Sequence, residues 1–250
     1  MKSKTRGLSL LFAVLCSLSS PLFADEVKVA VASNFAPLLK QLAAGFEKTS
    51  GHTVVLSSGA TGRLYTQIAN GAPFDVFFAA DNEKPEQLVN EKKAVAGTVF
   101  TYAIGKLVLW SPALNLSMNA DATLKQATFN HLALANPKLA PYGAAAQQVL
   151  TKLQLWDALQ NKLVLGENIA QALQFVDSGN AELGFIALAQ WQELPADKRG
   201  KPWLIPPEMH APITQDAVIL HDSTAARAFM TFMQSSTATI AIQQAGYSLP

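Results

Sequence analysis

The stretch "VAVASNFAPLLKQLAAGF", residues 29–46, decides how the chain begins to fold. An apolar strand pattern runs into the small polar pair Ser33 and Asn34, and a helix pattern with apolar residues three and four apart follows at once. The first turn of a helix leaves backbone N–H groups without internal acceptors, and two short polar side chains stand beside them. This order predicts a place where an anion binds without a positively charged side chain.

The same order of strand, short turn and helix recurs along the chain, which predicts βα units around mostly parallel sheets. Strands are predicted at residues 27–33, 53–58, 74–81, 106–111, 131–137, 162–166, 183–188 and 216–220. The proline-rich segment 201–213 is too long and irregular for a loop within one sheet, and we expect it to cross between lobes. The sequence therefore predicts two α/β lobes with a cleft between them.

Residues 1–24 have the pattern of a secretory signal peptide. Three basic residues precede an apolar stretch, and the small residue Ala24 precedes the predicted cleavage site. An uncleaved membrane anchor would need a longer unbroken apolar run. Cleavage would also remove Cys16, the one cysteine of the chain, which excludes disulfides and cysteine chemistry from the mature protein.

The charge balance excludes some classes of partner. The chain has 19 Lys and Arg against 18 Asp and Glu, and loss of the three basic residues of the leader leaves 16 against 18. Because no basic run is present, we expect neither a nucleic-acid partner nor a membrane-surface role. No stretch after Ala24 is long and apolar enough to cross a bilayer.

Four turns between a strand and a helix are candidates to line the cleft: Ser33-Asn34, residues 59–62, residues 141–143 and residues 167–169. Ligands of open α/β sheets bind outside the carboxyl ends of the strands, where such turns lie. Ordinary helix capping is the more frequent explanation for any single one of them. Thr61 is more specific, because the glycines on both sides let the backbone N–H groups approach a ligand. Tyr142 stands between a proline and a glycine, where packing and ligand binding are both open.

Catalytic signatures are absent from the sequence. The histidines at positions 52, 131, 210 and 221 lack the spacing of metal ligands, and no G-x-S-x-G, H-E-x-x-H or G-x-G-x-x-G motif occurs. A secreted hydrolase with Ser33 or Thr61 as its nucleophile remains an alternative, although no histidine is placed beside either residue. We therefore expect a binding protein rather than an enzyme.

Four stretches resemble the periplasmic molybdate-binding proteins of ABC importers, the ModA family: "VAVASNF" (29–35), "SSGATGRLYTQIANGAPFDVFFAAD" (57–81), "LALANPKLAPYGAAAQQVL" (132–150) and "LGENIAQALQFVDSGNAELGFIAL" (165–188). The most specific part is G-x-T/S-G followed by Q-I-x-x-G-A-P-x-D-x-F. The resemblance covers essentially the whole mature chain. It implies a type II periplasmic-binding-protein fold with two interlobe crossings, in which residues 25–104 and 216–250 form one lobe and 105–215 the other.

The resemblance also implies a molybdate or tungstate ligand, held through its oxygens only. The implied ligand-binding residues are Ser33, Asn34, Thr61, Tyr142 and Ile169. Four of them, Ser33, Thr61, Tyr142 and Ile169, are the implied contacts to molybdenum in its oxyanion form. Ile169 contributes its backbone N–H. Asn34 adds a side-chain amide donor. Many members carry a tyrosine where this chain has Ala187 and an alanine where it has Tyr142, so we expect the hydroxyl to have moved across the pocket.

Location and partners follow from the same resemblance. It implies a periplasmic monomer without a cofactor, which delivers its oxyanion to the permease of an ABC importer in the inner membrane. The lobes are expected to close by bending near Ile104-Gly105 and near 214–216. The alternative within the same fold is another cargo, such as sulfate, thiosulfate or a small organic acid.

Overall fold

The computed structural model describes residues 25–250, and the predicted signal peptide lies outside the described residues. The strands of this part are β1 (Glu26–Ala32), β2 (Thr53–Gly59), β3 (Val76–Phe78), β4 (Phe100–Gly105), β5 (Leu107–Trp110), β6 (Leu132–Ala135), β7 (Leu163–Gly166), β8 (Leu183–Ala187), β9 (Trp203–Leu204) and β10 (Ile213–Ile219). They form two five-stranded sheets, and each sheet is the centre of one lobe.

Helices cover both sheets. They are α1 (Ala36–Ser50), α2 (Thr61–Ala69), α3 (Glu83–Asn90), α4 (Ala120–Gln126), α5 (Pro141–Lys152), α6 (Ile169–Asp177), α7 (Leu188–Glu193), α8 (Thr224–Met233) and α9 (Ser236–Gln244). None of the helices between residues 25 and 250 has the length and apolar character needed to span a membrane.

The two sheets have the same mixed topology, with strand orders β2-β1-β3-β10-β4 and β7-β6-β8-β5-β9. In the first, β1 runs parallel to β2 and β3, whereas β10 runs antiparallel to β3 and β4. In the second, β6 runs parallel to β7 and β8, whereas β5 runs antiparallel to β8 and β9. In each sheet four of the five strands run in the same direction, and a single strand, β10 in the first sheet and β5 in the second, runs against them. The expectation of mostly parallel sheets therefore holds except for this one strand in each sheet.

The chain crosses between the sheets twice. It leaves the first sheet at Gly105 and enters the second at Leu107, and it returns between Leu204 and Ile213. Ile213 pairs with Gly105, so the strands at the two crossings lie side by side. The predicted lobe boundary between residues 215 and 216 falls inside β10.

Helix α1 fixes the position of the polar turn that precedes it. Its buried face is formed by Leu38, Leu39, Leu42, Ala43 and Phe46, at the spacing that the sequence predicts. Gly51 ends the helix with φ of 76°, a left-handed conformation that favours glycine. At the other end, Phe35 is fully buried, with its ring centroid 4.5 Å from that of Tyr102. The turn at Ser33 and Asn34 is therefore anchored in the core of the first lobe.

The two lobes touch across the cleft through small side chains. Ala32, Ala60 and Ala80 follow or end the first three strands, and they belong to the same buried cluster as the second-lobe residues Tyr142 and Ile169. Alanine methyl groups let the turns of the two lobes approach closely. The carboxyl ends of the parallel strands of both sheets therefore face each other.

Candidate functional site

Ser33 lies at the carboxyl end of the first sheet. Its backbone N–H donates to the carbonyl of Gly59 at 3.0 Å, which holds the turn after β1 against the turn after β2. Ser33 is 6% exposed, and among residues 25–250 its hydroxyl has no hydrogen-bond partner. The hydroxyl is therefore free to donate to a ligand in the cleft.

Thr61 is the first residue of α2 and joins the turn after β2 to the end of β3. Its Oγ1 accepts a hydrogen bond of 2.9 Å from the backbone N–H of Ala80, and both residues are buried. Because the oxygen accepts this bond, the hydroxyl hydrogen remains available to an acceptor in the cleft. In the first turn of α2 the N–H of Gly62 is already used, because it donates to the carbonyl of Leu139 in the second lobe.

Asn34 has a different role from the one expected of its side chain. Its Nδ2 donates to Oε1 of Gln215 at 2.8 Å and to the hydroxyl of Tyr247 at 3.2 Å. An amide nitrogen carries two hydrogens, so both are used inside the protein. The expectation of an amide donor from this side chain is therefore not supported, because the first lobe needs both hydrogens for its own packing. The backbone N–H of Asn34 has no acceptor among the described residues and remains available.

The second lobe contributes the start of α6. Oδ1 of Asn168 accepts from the N–H groups of Ala170 and Gln171 at 3.0 and 3.1 Å, and the N–H of Ile169 has no acceptor within residues 25–250. Gln190 joins this turn to the end of β8, since it donates to the carbonyl of Ile169 and accepts from the N–H of Ala187. Ala187 therefore lies beside the site but offers only a methyl group.

Tyr142 brings a hydroxyl from the second lobe to the strands that cross between the lobes. It is 1% exposed, and its Oη accepts from Nε2 of Gln215 at 3.3 Å. A Cβ added at Gly105 would lie 2.2 Å from this oxygen, so only glycine fits there. Burial raises the pKa of Tyr142 well above its ordinary value, which keeps the hydroxyl protonated and able to donate.

Two contacts hold the lobes together next to these turns. The N–H of Gly62 donates to the carbonyl of Leu139 at 2.9 Å, and the Arg63 guanidinium is ion-paired with the Glu167 carboxylate. Together with the shared buried cluster, these contacts bring all four predicted turns to one part of the cleft. The Arg63 guanidinium at the start of α2 is thus already paired with a carboxylate, and the groups that the four turns themselves offer to a ligand are uncharged donors.

A groove of about 370 Å³ lies between the lobes beside these donors. It contacts the site through Gly62, Ala80 and Pro141, but none of the five predicted ligand-binding residues lines it. Asp81 also borders the groove, and its Oδ1 accepts from the N–H of Lys84 at 2.9 Å. Burial raises the pKa of Asp81 to about 6. The groove is thus adjacent to the donors, which themselves lie deeper between the lobes.

The histidines lie away from the candidate nucleophiles of a hydrolase. His52 and His131 immediately precede β2 and β6, at the opposite ends of the strands from Ser33 and Thr61. His221 follows β10 at the start of β3, and His210 lies in the segment that returns to the first lobe. None of the histidines of residues 25–250 therefore lies beside Ser33 or Thr61.

Two residues beside the site, Gln215 and Tyr247, were not predicted from the sequence, and Gly105 was expected only as a point of bending. One sequence feature could have pointed to Gln215: it is a polar residue near the start of the apolar strand pattern "ITQDAVIL" (213–220). It is fully buried and bonds to both Asn34 and Tyr142. Nothing in the sequence pattern identifies its partners, which lie 181 and 73 residues away.

Comparison with known proteins gives consistent matches over nearly the whole chain. Residues 27–248 match the family model described as bacterial extracellular solute-binding protein. The chain is 52% identical over 229 residues to the molybdate-binding protein ModA of Azotobacter vinelandii, which covers 90% of this chain and 91% of the relative. It is 42% identical over 238 residues to the ModA protein of Rhodobacter capsulatus, with 94% and 93% covered.

The fold is also similar to that of a solved relative. The periplasmic molybdate-binding protein of Azotobacter vinelandii superimposes with a TM-score of 0.85 at 45% sequence identity. The alignment covers 90% of this chain and 99% of that chain. The type II periplasmic-binding architecture implied by the sequence is thereby confirmed.

Proposed function

Because the chain belongs to the bacterial extracellular solute-binding proteins, and among them to the ModA family, we propose that it captures molybdate or tungstate in the interlobe cleft and delivers it to an ABC importer. The observation that carries the proposal is a set of uncharged donors at the facing ends of the two sheets. They are the hydroxyls of Ser33, Thr61 and Tyr142 and the backbone N–H groups of Asn34 and Ile169.

Such a donor set matches the chemistry of the oxyanion. A tetrahedral dianion has oxygens that only accept hydrogen bonds, so hydroxyl and N–H groups satisfy it without a counter-charge. Hydrogen bonds to a charged partner contribute about 1.5–3 kcal/mol each, and several of them offset much of the cost of dehydration. The N-termini of helices α1, α2, α5 and α6 add their dipoles at the same point.

Many ModA proteins have a tyrosine at the position of Ala187 and an alanine at that of Tyr142, and the reverse arrangement of this chain suits the same pocket. Tyr142 and Ala187 belong to one buried cluster, and the methyl group of Ala187 leaves room for a hydroxyl that arrives from α5. We therefore assign to Tyr142 the donor that many ModA proteins carry at the position of Ala187. The ligand is bound through its oxygens, and no cofactor is required.

Capture and delivery involve the strands at the crossings. We assign residues 25–104 and the C-terminal segment to one lobe and the intervening residues to the other, with bending at Gly105 and at the start of β10. The closed, loaded monomer then docks on the permease in the inner membrane. Export by the leader 1–24 accounts for a periplasmic location, and no nucleic acid takes part.

Isothermal titration calorimetry of the purified protein without residues 1–24 tests the proposal. Molybdate and tungstate are each expected to bind at one site per chain with comparable affinity, because the two ions have nearly the same size. A protein with Ser33→Ala and Thr61→Ala combined, which removes two hydroxyls, is the control and is expected to bind at least a hundredfold more weakly. Absence of binding by the unmodified protein would overturn the proposal.

A further inference from the structure

Gln215 is a fully buried glutamine on β10, the strand that follows the second crossing between the lobes. Its Oε1 accepts from Nδ2 of Asn34 at 2.8 Å and lies 3.1 Å from the hydroxyl of Tyr102, whose shorter hydrogen bond goes to the carbonyl of Ala79 at 2.9 Å. Its Nε2 donates to Oη of Tyr142 at 3.3 Å. One buried amide therefore connects a first-lobe turn with a tyrosine of the second lobe.

The direction of these hydrogen bonds is set by Tyr247 near the C-terminus. The hydroxyl of Tyr247 donates its hydrogen to the carbonyl of Asn34 at 3.0 Å, so its oxygen is left to accept from Nδ2 of Asn34. This fixes which end of the Asn34 amide carries the nitrogen. Because that nitrogen also faces Gln215, the glutamine must present its oxygen to Asn34 and its own nitrogen to Tyr142.

The order of donors has a consequence at Tyr142. Its phenolic oxygen receives a hydrogen from Gln215, so its own hydrogen needs another acceptor, and no described residue supplies one. We propose that Gln215 is a positioning residue, fixed by Asn34 and Tyr247, that makes the Tyr142 hydroxyl a hydrogen-bond donor to the bound oxyanion. This inference rests on the proposed function and deepens it.

The arrangement also links the donor to lobe closure. Gln215 is on a strand of the first sheet, whereas Tyr142 is on helix α5 of the second lobe. The Tyr142 hydroxyl rests against Gly105, which pairs in the sheet with the start of β10. Opening of the lobes separates Gln215 from Tyr142, so the hydroxyl is oriented for the ligand when the lobes are closed.

A double-mutant cycle on molybdate affinity tests the inference, with Gln215→Met, Tyr142→Phe and the two combined, each in the full mature chain. Gln215→Met keeps side-chain length but removes the amide, and we expect about tenfold weaker binding. Tyr142→Phe removes the donor itself and is expected to cost at least as much. Because Gln215 acts through Tyr142, the combined variant should bind within about twofold of Tyr142→Phe alone.

Tyr247→Phe is a second, independent variant. It leaves Gln215 and the donors unchanged, but it removes the hydroxyl that fixes the orientation of the Asn34 amide. We expect a loss of affinity of about two- to fivefold that disappears in the Tyr142→Phe background. Thermal unfolding of the ligand-free variants reports any loss of folding separately from binding.

The outcomes separate the inference from the proposed function. If the unmodified protein fails to bind molybdate, both are overturned. If the unmodified protein binds but Gln215→Met leaves the affinity unchanged, the inference is overturned and the function stands. The same holds if the factor by which Gln215→Met lowers the affinity is undiminished in the Tyr142→Phe background.

Discussion

The Arg63 guanidinium of the first lobe is ion-paired with the Glu167 carboxylate of the second, beside the two turns that begin α2 and α6. The hydrogen bond with Glu167, and then its negative charge, raise the pKa of Arg63 above its ordinary value. Both side chains are more than a third exposed, so solvent screens the pair. The pair therefore acts as a weak contact between the lobes, and it leaves the Arg63 guanidinium already bonded to a carboxylate.

The paired variants Arg63→Met and Glu167→Gln test this role. If the two residues only hold the lobes together, each change should weaken molybdate binding by a similar factor of about two to five, and less at high salt. Calorimetry at two salt concentrations measures both. A loss of a hundredfold for Arg63→Met with none for Glu167→Gln would show that the guanidinium contacts the anion directly.

Thr61→Ala is expected to lower both affinity and stability. The hydroxyl donates to the ligand in our account, and its oxygen also accepts the buried N–H of Ala80. We expect binding weaker by tenfold or more and a free energy of unfolding lower by about 1–3 kcal/mol, because that N–H loses its acceptor. Thr61→Ser, which keeps the hydroxyl, is the matched control for titration and urea unfolding. Unchanged affinity in Thr61→Ala would remove this residue from the site.

Hydrogen phosphate should bind poorly, because it carries a hydrogen that needs an acceptor. The nearby carboxylates of Glu167 and Asp81 are held by Arg63 and by the N–H of Lys84, and neither is among the groups that we assign to the ligand. We expect at least a hundredfold preference for molybdate over phosphate at neutral pH, measured by competition calorimetry. Comparable affinities for the two ions would mean that the pocket contains a free acceptor.

The buried carboxyl group of Asp81 should make the free energy of unfolding depend on pH. Burial raises its pKa from 3.8 to about 6, so the folded state holds the proton more tightly than the unfolded state. The stability that this proton confers is present below about pH 4 and is lost as the pH rises through 6. Asp81→Asn cannot ionise and keeps an acceptor for the N–H of Lys84. Its stability relative to the unmodified protein should therefore rise by about 2 kcal/mol between pH 4 and pH 8.

Urea unfolding at a series of pH values measures this difference directly. Asp157→Asn, at an exposed position, is the matched control. A stability difference for Asp81→Asn that stays constant with pH would show that the carboxyl is not protonated by burial.

Local patterns predicted the parts of the fold that depend on near neighbours in the chain. The apolar spacing of α1 and its end at Gly51 are properties of consecutive residues, and the structure has both. Strand β4 was not predicted, because "FTYAIG" lacks a clear pattern and is held in place by β10, more than 100 residues later. The short strand β9 inside the proline-rich segment was missed for the same reason, since it exists through pairing with β5.

In the candidate site, too, features of consecutive residues were predictable and contacts between distant residues were not. Turns with small polar residues identified Ser33 and Thr61, because a strand end followed by a helix start is visible in the sequence. The use of the Asn34 amide by Gln215 and Tyr247 was not visible, since these partners are 181 and 213 residues away. Which donors remain free is therefore a property of the folded network rather than of any motif.

Anomalous X-ray diffraction at a tungsten absorption edge, from crystals grown with tungstate, locates the bound ion directly. We predict one tungsten atom between the turn at Ser33 and the start of α5, with its oxygens within hydrogen-bond distance of Ser33, Thr61 and Tyr142. A tungsten atom in another part of the molecule, or one held by lysine or arginine side chains, would contradict the account.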